Sequence, residues 1–302
     1  MLLALDVGNT HTVIGLFDPA TAPAGGGRRA AAGEGAGASR AMAGGRDRRS
    51  GGEMPDLRFH WRIATVAERT PDEHALLLVD LLHLVGVDIR GEELTRRLSG
   101  IAIASSVPEA TLALREMAQR WFPVPTIVIE PGVRTGMPIL YDNPKEVGAD
   151  RIANAVGALD LFDPPLIVVD LGTATTFDVI SAAGEYLGGA ITPGIEISTD
   201  ALFGHAAHLG RVELVEPRHV IGKSTVESIQ SGTIYGHAAL IDGMCRRIMD
   251  DLGEATVVAT GGLAAVIRPL AAVVQHHEPW LTLHGLRIIY ERNAERAGAR
   301  LP

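Results

Sequence analysis

Leu2-Leu3-Ala4-Leu5-Asp6-Val7-Gly8-Asn9-Thr10 opens the chain, and its pattern returns as Leu166-Ile167-Val168-Val169-Asp170-Leu171-Gly172-Thr173-Ala174-Thr175-Thr176. In both copies a short apolar run, of the kind that forms a buried strand, ends in Asp, then Gly, then hydroxyl-bearing residues. A second β-like run follows each, Thr12 to Phe17 and Phe177 to Ile180. Glycine permits a tight turn and brings backbone N–H groups close to phosphate oxygens. Thr and Asn side chains add donors, and a carboxylate at the strand end can hold a cation bound to those phosphates. Two such loops facing each other would clamp a nucleotide.

A third signal is Thr256 to Thr260 followed by Gly261-Gly262-Leu263-Ala264. Strand, paired glycine and helix is what a backbone needs to lie flat against a base or ribose. In this order the three elements resemble the phosphate 1, phosphate 2 and adenosine motifs of the actin, hexokinase and Hsp70 ATPase superfamily. Between them, Tyr141-Asp142-Asn143-Pro144-Lys145-Glu146-Val147-Gly148-Ala149-Asp150-Arg151 is similar to the substrate signature of type III pantothenate kinases. Residues 188–194, residues 221–232 and the tail 281–286 resemble that family as well. The resemblance spans nearly the whole chain and fails only between about residues 18 and 56.

It implies an α/β fold of duplicated ribonuclease H-like, actin-like ATPase domains, residues 1–145 and 146–302, with a nucleotide cleft between them. The implied activity is ATP-dependent phosphorylation of pantothenate to 4′-phosphopantothenate, the first step of coenzyme A biosynthesis. The implied setting is a cytoplasmic homodimer using ATP with Mg2+ and a monovalent cation, K+ or NH4+. By the same resemblance Asp150 is the general base and Asp170 the monovalent-cation ligand. Asp6, Val7, Gly8, Asn9, Thr10, His11, Thr12, Val13 and Thr173 contact ATP. Tyr141, Gly148, Ala149, Asp150, Arg151 and Thr225 bind pantothenate. The chemistry suits these residue types, since phosphorylating an alcohol calls for a carboxylate that accepts its proton. A bound cation would also neutralise phosphate charge in a chain with only two lysines, Lys145 and Lys223.

Outward from the motifs, strands and helices alternate as expected of a sheet covered by helices. Strands are expected at 2–5, 12–17, 57–63, 101–104, 126–130, 166–170, 175–180, 185–190 and 256–260. Helices are expected at 72–85, with Thr70 as N-cap and Pro71 at the first position, and at 108–120, 148–161, 194–203, 225–251 and 263–270. Gly232, Gly236 and Gly243 each cost up to ~1 kcal/mol in the long helix, so close packing should compensate. Packing across a dimer interface and packing within the chain fit that pattern equally. Gly222-Lys223-Ser224-Thr225 mimics the end of a P-loop, but the required first glycine falls at Pro217 and no strand leads in.

Residues 20–56 differ in kind, with Gly and Ala abundant and Arg28, Arg29, Arg40, Arg46, Arg48 and Arg49 against Glu34, Asp47, Glu53 and Asp56. That composition predicts a disordered, dispensable insertion at a hairpin turn; an arm for RNA or an anionic partner is the alternative. A net charge of −9 gives the body of the chain no reason to bind nucleic acid. The lone Cys245 excludes an intramolecular disulfide. No apolar run reaches the ~18–20 residues of a membrane span, and the amino terminus lacks the basic flank of a signal peptide. His205, His208, His276 and His277 show no metal-ligand pattern. Two rivals remain: a superfamily kinase with another acceptor, and a non-catalytic ATP-binding transcriptional accessory factor.

Overall fold

The computed structural model describes residues 1–18, 54, 56–87, 97–205 and 211–294. Residues 20–53 and 55 of the expected insertion, and His208, lie outside them. The amino-terminal half lays down β1 (Leu2–Val7), β2 (His11–Phe17), β3 (Leu57–Ala64), α1 (Pro71–Leu84), β4 (Gly100–Ser105), α2 (Pro108–Trp121) and β5 (Thr126–Val128). After a 3-10 turn at Pro144–Glu146 comes α3 (Ala149–Leu161). The plan then repeats as β6 (Leu166–Leu171), β7 (Ala174–Ile180), β8 (Tyr186–Pro193), α4 (Ile195–His205), α5 (Thr225–Leu252), β9 (Thr256–Thr260), α6 (Ala264–Ile267), β10 (His276–His277) and α7 (Leu281–Ala294).

The two five-stranded sheets have matching orders, β3-β2-β1-β4-β5 and β8-β7-β6-β9-β10. In each, the first hairpin is antiparallel and the fourth strand runs parallel to the first. Side chains alternate across a strand, and the core follows that rule. Leu3, Leu5 and Val7 pack under α1 and α2; Ile167, Val169 and Leu171 pack under α5 and α6. Leu2, Ala4, Leu166 and Val168 face a shared central layer made of α3 and α7. The molecule is therefore helix, sheet, helix, sheet, helix. Asp6 and Asp170 continue the inward-facing rows of β1 and β6, so both carboxylates look into the gap between the halves.

α3 and α7 cross almost backbone to backbone. A Cβ on Gly157 would lie 2.7 Å from the Leu281 carbonyl oxygen, and one on Gly285 would collide with the Ala153 carbonyl. α7 also reaches the amino-terminal sheet, where the Tyr290 hydroxyl donates to the Ser99 carbonyl at 2.7 Å. This helix is missing from the assignment made on sequence, although Leu281, Gly285 and Ile289 share one helical face.

Local signals account for most boundaries. Thr70 and Glu73 form a reciprocal capping box ahead of Pro71, an N-terminus of the kind worth about 1 kcal/mol. The expected helix 263–270 is instead the short α6 and a 3-10 turn at Arg268–Leu270, because Pro269 lacks the N–H that an α-helix would use. Strand β5 ends two residues early, and β8 runs on to Pro193. In α5, nothing lies within 4 Å of a Cβ built on Gly232, Gly236 or Gly243, so contacts within the described chain do not explain these glycines. Among the described residues, no helix is long and apolar enough to cross a membrane.

Candidate active site

The strand ends carrying the two Asp-Gly loops converge on one cleft. Among its lining residues are Asp6, Asn9 and Thr10 from one half, Asp170 and Thr173 from the other, and Asp150 from the first turn of α3. The loops are built alike: the Gly8 N–H donates to the His11 carbonyl and the Gly172 N–H to the Ala174 carbonyl, each at 3.0 Å. They meet where the Thr10 and Thr173 hydroxyls share a hydrogen bond at 3.1 Å. The third motif closes one wall. Gly261 sits at φ +92°, a region L side chains avoid, and a Cβ there would lie 2.5 Å from Asp170 Oδ1.

The site is strongly acidic. Burial, then repulsion from Asp150 and Asp170, pushes the Asp6 carboxyl well above its usual range, against the pull of Arg62. Burial likewise raises Asp170 to about 7, with Asp150 adding to the effect and a hydrogen bond from Asn154 opposing it. Asn154 Nδ2 donates to Asp170 Oδ2 at 2.9 Å, while the Thr282 hydroxyl donates to Asn154 Oδ1 at 2.7 Å. Oxygen donors of this kind suit hard cations such as Mg2+ and K+. No three His, Cys, Asp or Glu side chains among the described residues form a ready metal site, so phosphate or backbone oxygens would complete the coordination.

Of the residues singled out on sequence, Asp6, Gly8, Asn9, Thr10, His11, Val13, Asp150, Asp170 and Thr173 line this cleft. Val7 is buried in the outer core, and Thr12 turns away to share a 2.8 Å hydrogen bond with Thr65. Gly148 caps α3 and Ala149 begins it, next to Asp150. Arg151 and Tyr141 belong to an adjoining cluster: Arg151 Nε donates to Asp178 at 2.7 Å, and the Tyr141 ring lies 6.4 Å from that of Tyr186. Thr225 stands apart. It lies in a largely apolar groove between α4 and α5, and the α5 cap is Ser224, whose hydroxyl accepts from the Glu227 N–H.

Thr176 and Thr282, quoted within motifs but given no role of their own, line the cleft as well, and sequence reasoning overlooked Arg62 and Trp280, which also line it. Arg62 is the one Arg or Lys among its described lining residues. The polar face of β3, Arg58-His60-Arg62, reads as a solvent face, but its far end borders the cleft.

Residues 48–247 match the family described as type III pantothenate kinase. Proteins of that description from Streptomyces avermitilis and Acidothermus cellulolyticus are 50% and 47% identical to the chain. The alignments cover 98% of this chain and 100% of the first relative, and 97% and 99% for the second. Among solved structures, a protein described as a Baf family transcriptional activator from Campylobacter jejuni superposes with a TM-score of 0.55 at 17% identity, covering 97% of this chain and 99% of that one. Component A of (R)-2-hydroxyglutaryl-CoA dehydratase from Acidaminococcus fermentans gives 0.52 at 12%, with 97% and 98% covered. At such identities these two likenesses speak for the fold alone.

Proposed function

The chain belongs to the type III pantothenate kinase family, and from that premise we propose that Asp150 is the base that takes the proton from the pantothenate hydroxyl. The activity itself is ATP-dependent phosphorylation of pantothenate to 4′-phosphopantothenate, the first step of coenzyme A biosynthesis. One observation carries the assignment: the Asp150 carboxylate borders the same cleft as both Asp-Gly loops. A base must come within hydrogen-bond reach of its proton, and an acceptor hydroxyl lying between that carboxylate and the loops would face the phosphates.

The Gly8 to Thr10 backbone and the Thr10 and Thr173 hydroxyls would receive phosphate oxygens. Asp6 would hold Mg2+ bound to ATP, and Asp170 a K+ or NH4+ ion; those cations supply the positive charge that the phosphates and crowded carboxylates require. The raised Asp6 and Asp170 carboxyls support this reading, since an adjacent cation favours the ionised form. Arg151 and Tyr141, with the Gly148-Ala149 backbone, would bind pantothenate. We divide the chain into functional halves at residues 1–145 and 146–302, and propose a cytoplasmic setting.

A homodimer belongs to the same proposal. The groove carrying Thr225 is flanked by exposed Ile197, Leu202 and Val226. The unfilled glycines of α5 would admit a second copy closely, which favours packing between chains over packing within one.

The test is purified protein with Mg2+, ATP and K+, with and without pantothenate, scored by mass spectrometry. Phosphopantothenate should form only with the acceptor present. Activity should collapse in sodium-only buffer and return with potassium or ammonium. Absence of product would refute the function; equal rates in all three salts would remove only the role of Asp170.

A further inference from the structure

Asp178 is a carboxylate set inside an apolar run, Phe177 to Ile180, and it has no exposed surface, 0%. Sealing a charge away from water costs several kcal/mol unless partners compensate. It has three. Arg151 Nε and the Tyr186 hydroxyl both donate to Oδ1 at 2.7 Å, and the Thr176 hydroxyl donates to Oδ2 at 3.3 Å. Tyr186 is itself fully buried, and burial beside Asp178 pushes its phenol far up, so it stays a donor. Its ring lies beneath the guanidinium, 5.9 Å from Arg151 Cζ.

Stability alone does not account for this cluster, because a well-packed apolar substitute for a buried ion pair is often at least as stable. Direction does account for it. Asp178 engages Arg151 through Nε, while the Nη groups make no hydrogen bond among the described residues. Nor are they among the sealed, unpaired atoms of the described residues, which are His74 Nε2, His277 Nε2 and Arg287 Nε. The Arg151 side chain keeps 10% of its surface exposed, and its unengaged fork lies beside Gly189, one helix position from Asp150. A guanidinium fixed in rotation by a hydrogen bond on one edge and a ring below presents two parallel N–H vectors, the geometry that receives a carboxylate.

We propose that Asp178 and Tyr186 are positioning residues that aim the Arg151 fork at the pantothenate carboxylate, and that this aim sets the preference for an acidic acceptor over a neutral one. This rests on the reading of Arg151 as a pantothenate ligand. Asp178→Asn preserves shape and an acceptor oxygen but removes the charge that locks the guanidinium. Tyr186→Phe keeps the ring and removes only the hydroxyl.

The experiment compares kcat and KM for pantothenate and for pantothenol, its neutral alcohol, in wild type, Arg151→Gln, Asp178→Asn and Tyr186→Phe, with ATP binding measured alongside. Wild type should prefer the acid strongly, and Arg151→Gln should abolish that preference. Asp178→Asn should lower kcat/KM for pantothenate by roughly 10–100-fold, mainly through KM. It should leave pantothenol turnover and ATP affinity within about threefold. Tyr186→Phe should move the same ratio in the same direction by a smaller factor, and it decides the matter if Asp178→Asn fails to bind ATP. If Arg151→Gln abolishes the preference while Asp178→Asn and Tyr186→Phe retain it, or lower both acceptors equally, the positioning role is overturned and Arg151 keeps its own. If wild type shows no preference, or Arg151→Gln keeps it, the Arg151 assignment fails and the positioning role with it.

Discussion

In the amino-terminal half, position 15 of β2 is glycine; in the carboxy-terminal half, the matching position of β7 is Asp178. The sheet registers make them equivalent, Gly15 opposite Ala4 of β1 and Asp178 opposite Val168 of β6. Gly15 leaves room for α7, since a Cβ there would come within 2.8 Å of the Leu283 side chain. Asp178 fills the same room with a carboxylate that holds Arg151. The nucleotide loops are near copies, whereas one half lends its second strand to packing and the other to an ion pair. The two halves share their phosphate loops; what distinguishes the acceptor side sits in one half only.

Asp150→Asn is the most severe test of that division. It should reduce kcat by roughly 10²–10⁴ while ATP affinity changes little, as single-turnover rates at saturating ATP would reveal. Near wild-type turnover would mean that positioning and electrostatics are the whole mechanism. Gly285→Ala probes the layer the halves share. Its methyl would meet the Ala153 carbonyl, which cannot rotate aside as a side chain does, so the fold should lose about 3 kcal/mol in urea unfolding. An unchanged midpoint would show that α3 and α7 can separate freely.

The outer layers hold a subtler contrast. His74 in α1 has an unpartnered, sealed Nε2, and burial lowers its pKa to about 4. His237 in α5 is also lowered by burial, but its Nε2 pairs with the Thr175 hydroxyl at 2.9 Å. Between pH 6.5 and 4 the unfolded chain binds a proton on His74 that the folded chain refuses, so stability falls as pH drops through that window. His74→Leu should flatten the Tm–pH curve there, recovering about 2 kcal/mol at the acid end. His237→Leu should destabilise at all pH values by breaking its pair with Thr175. Identical pH slopes for wild type and His74→Leu would contradict the first expectation.

The smallest effect concerns the β2–β3 connection. Residues 18–56 join these strands, whereas residues 181–185 suffice between β7 and β8. Replacing residues 22–52 by a short glycine bridge should keep kcat/KM within tenfold, about 1.4 kcal/mol of transition-state stabilisation. A larger loss would give this connection a part in the site.

Both loops, the paired glycines and most elements were legible because their signals are local: a strand end, a turn and a cap lie within a few residues of each other. Asp178 was not. Its partner is 27 residues away, and only the docking of α3 on β7 brings them together, although a carboxylate inside an apolar run is itself a visible anomaly. Arg62 was hidden for the opposite reason, since alternation identifies a polar face without saying whether water or a cleft lies beyond it. Thr225 matched a motif, yet within the single chain it lines the α4–α5 groove and not the cleft that holds Asp150.

The crossing of α3 and α7 has a symmetry of its own. α3 follows β5 as α7 follows β10, and the contacts are reciprocal: Gly157 meets the Leu281 carbonyl while Gly285 meets the Ala153 carbonyl. Each glycine meets the residue four places before the other, which is the signature of a two-fold axis. In a symmetric pair of identical halves, one glycine per half would make both contacts. The two halves of the chain thus meet along a seam that is self-complementary, each side offering the other the same glycine and the same carbonyl.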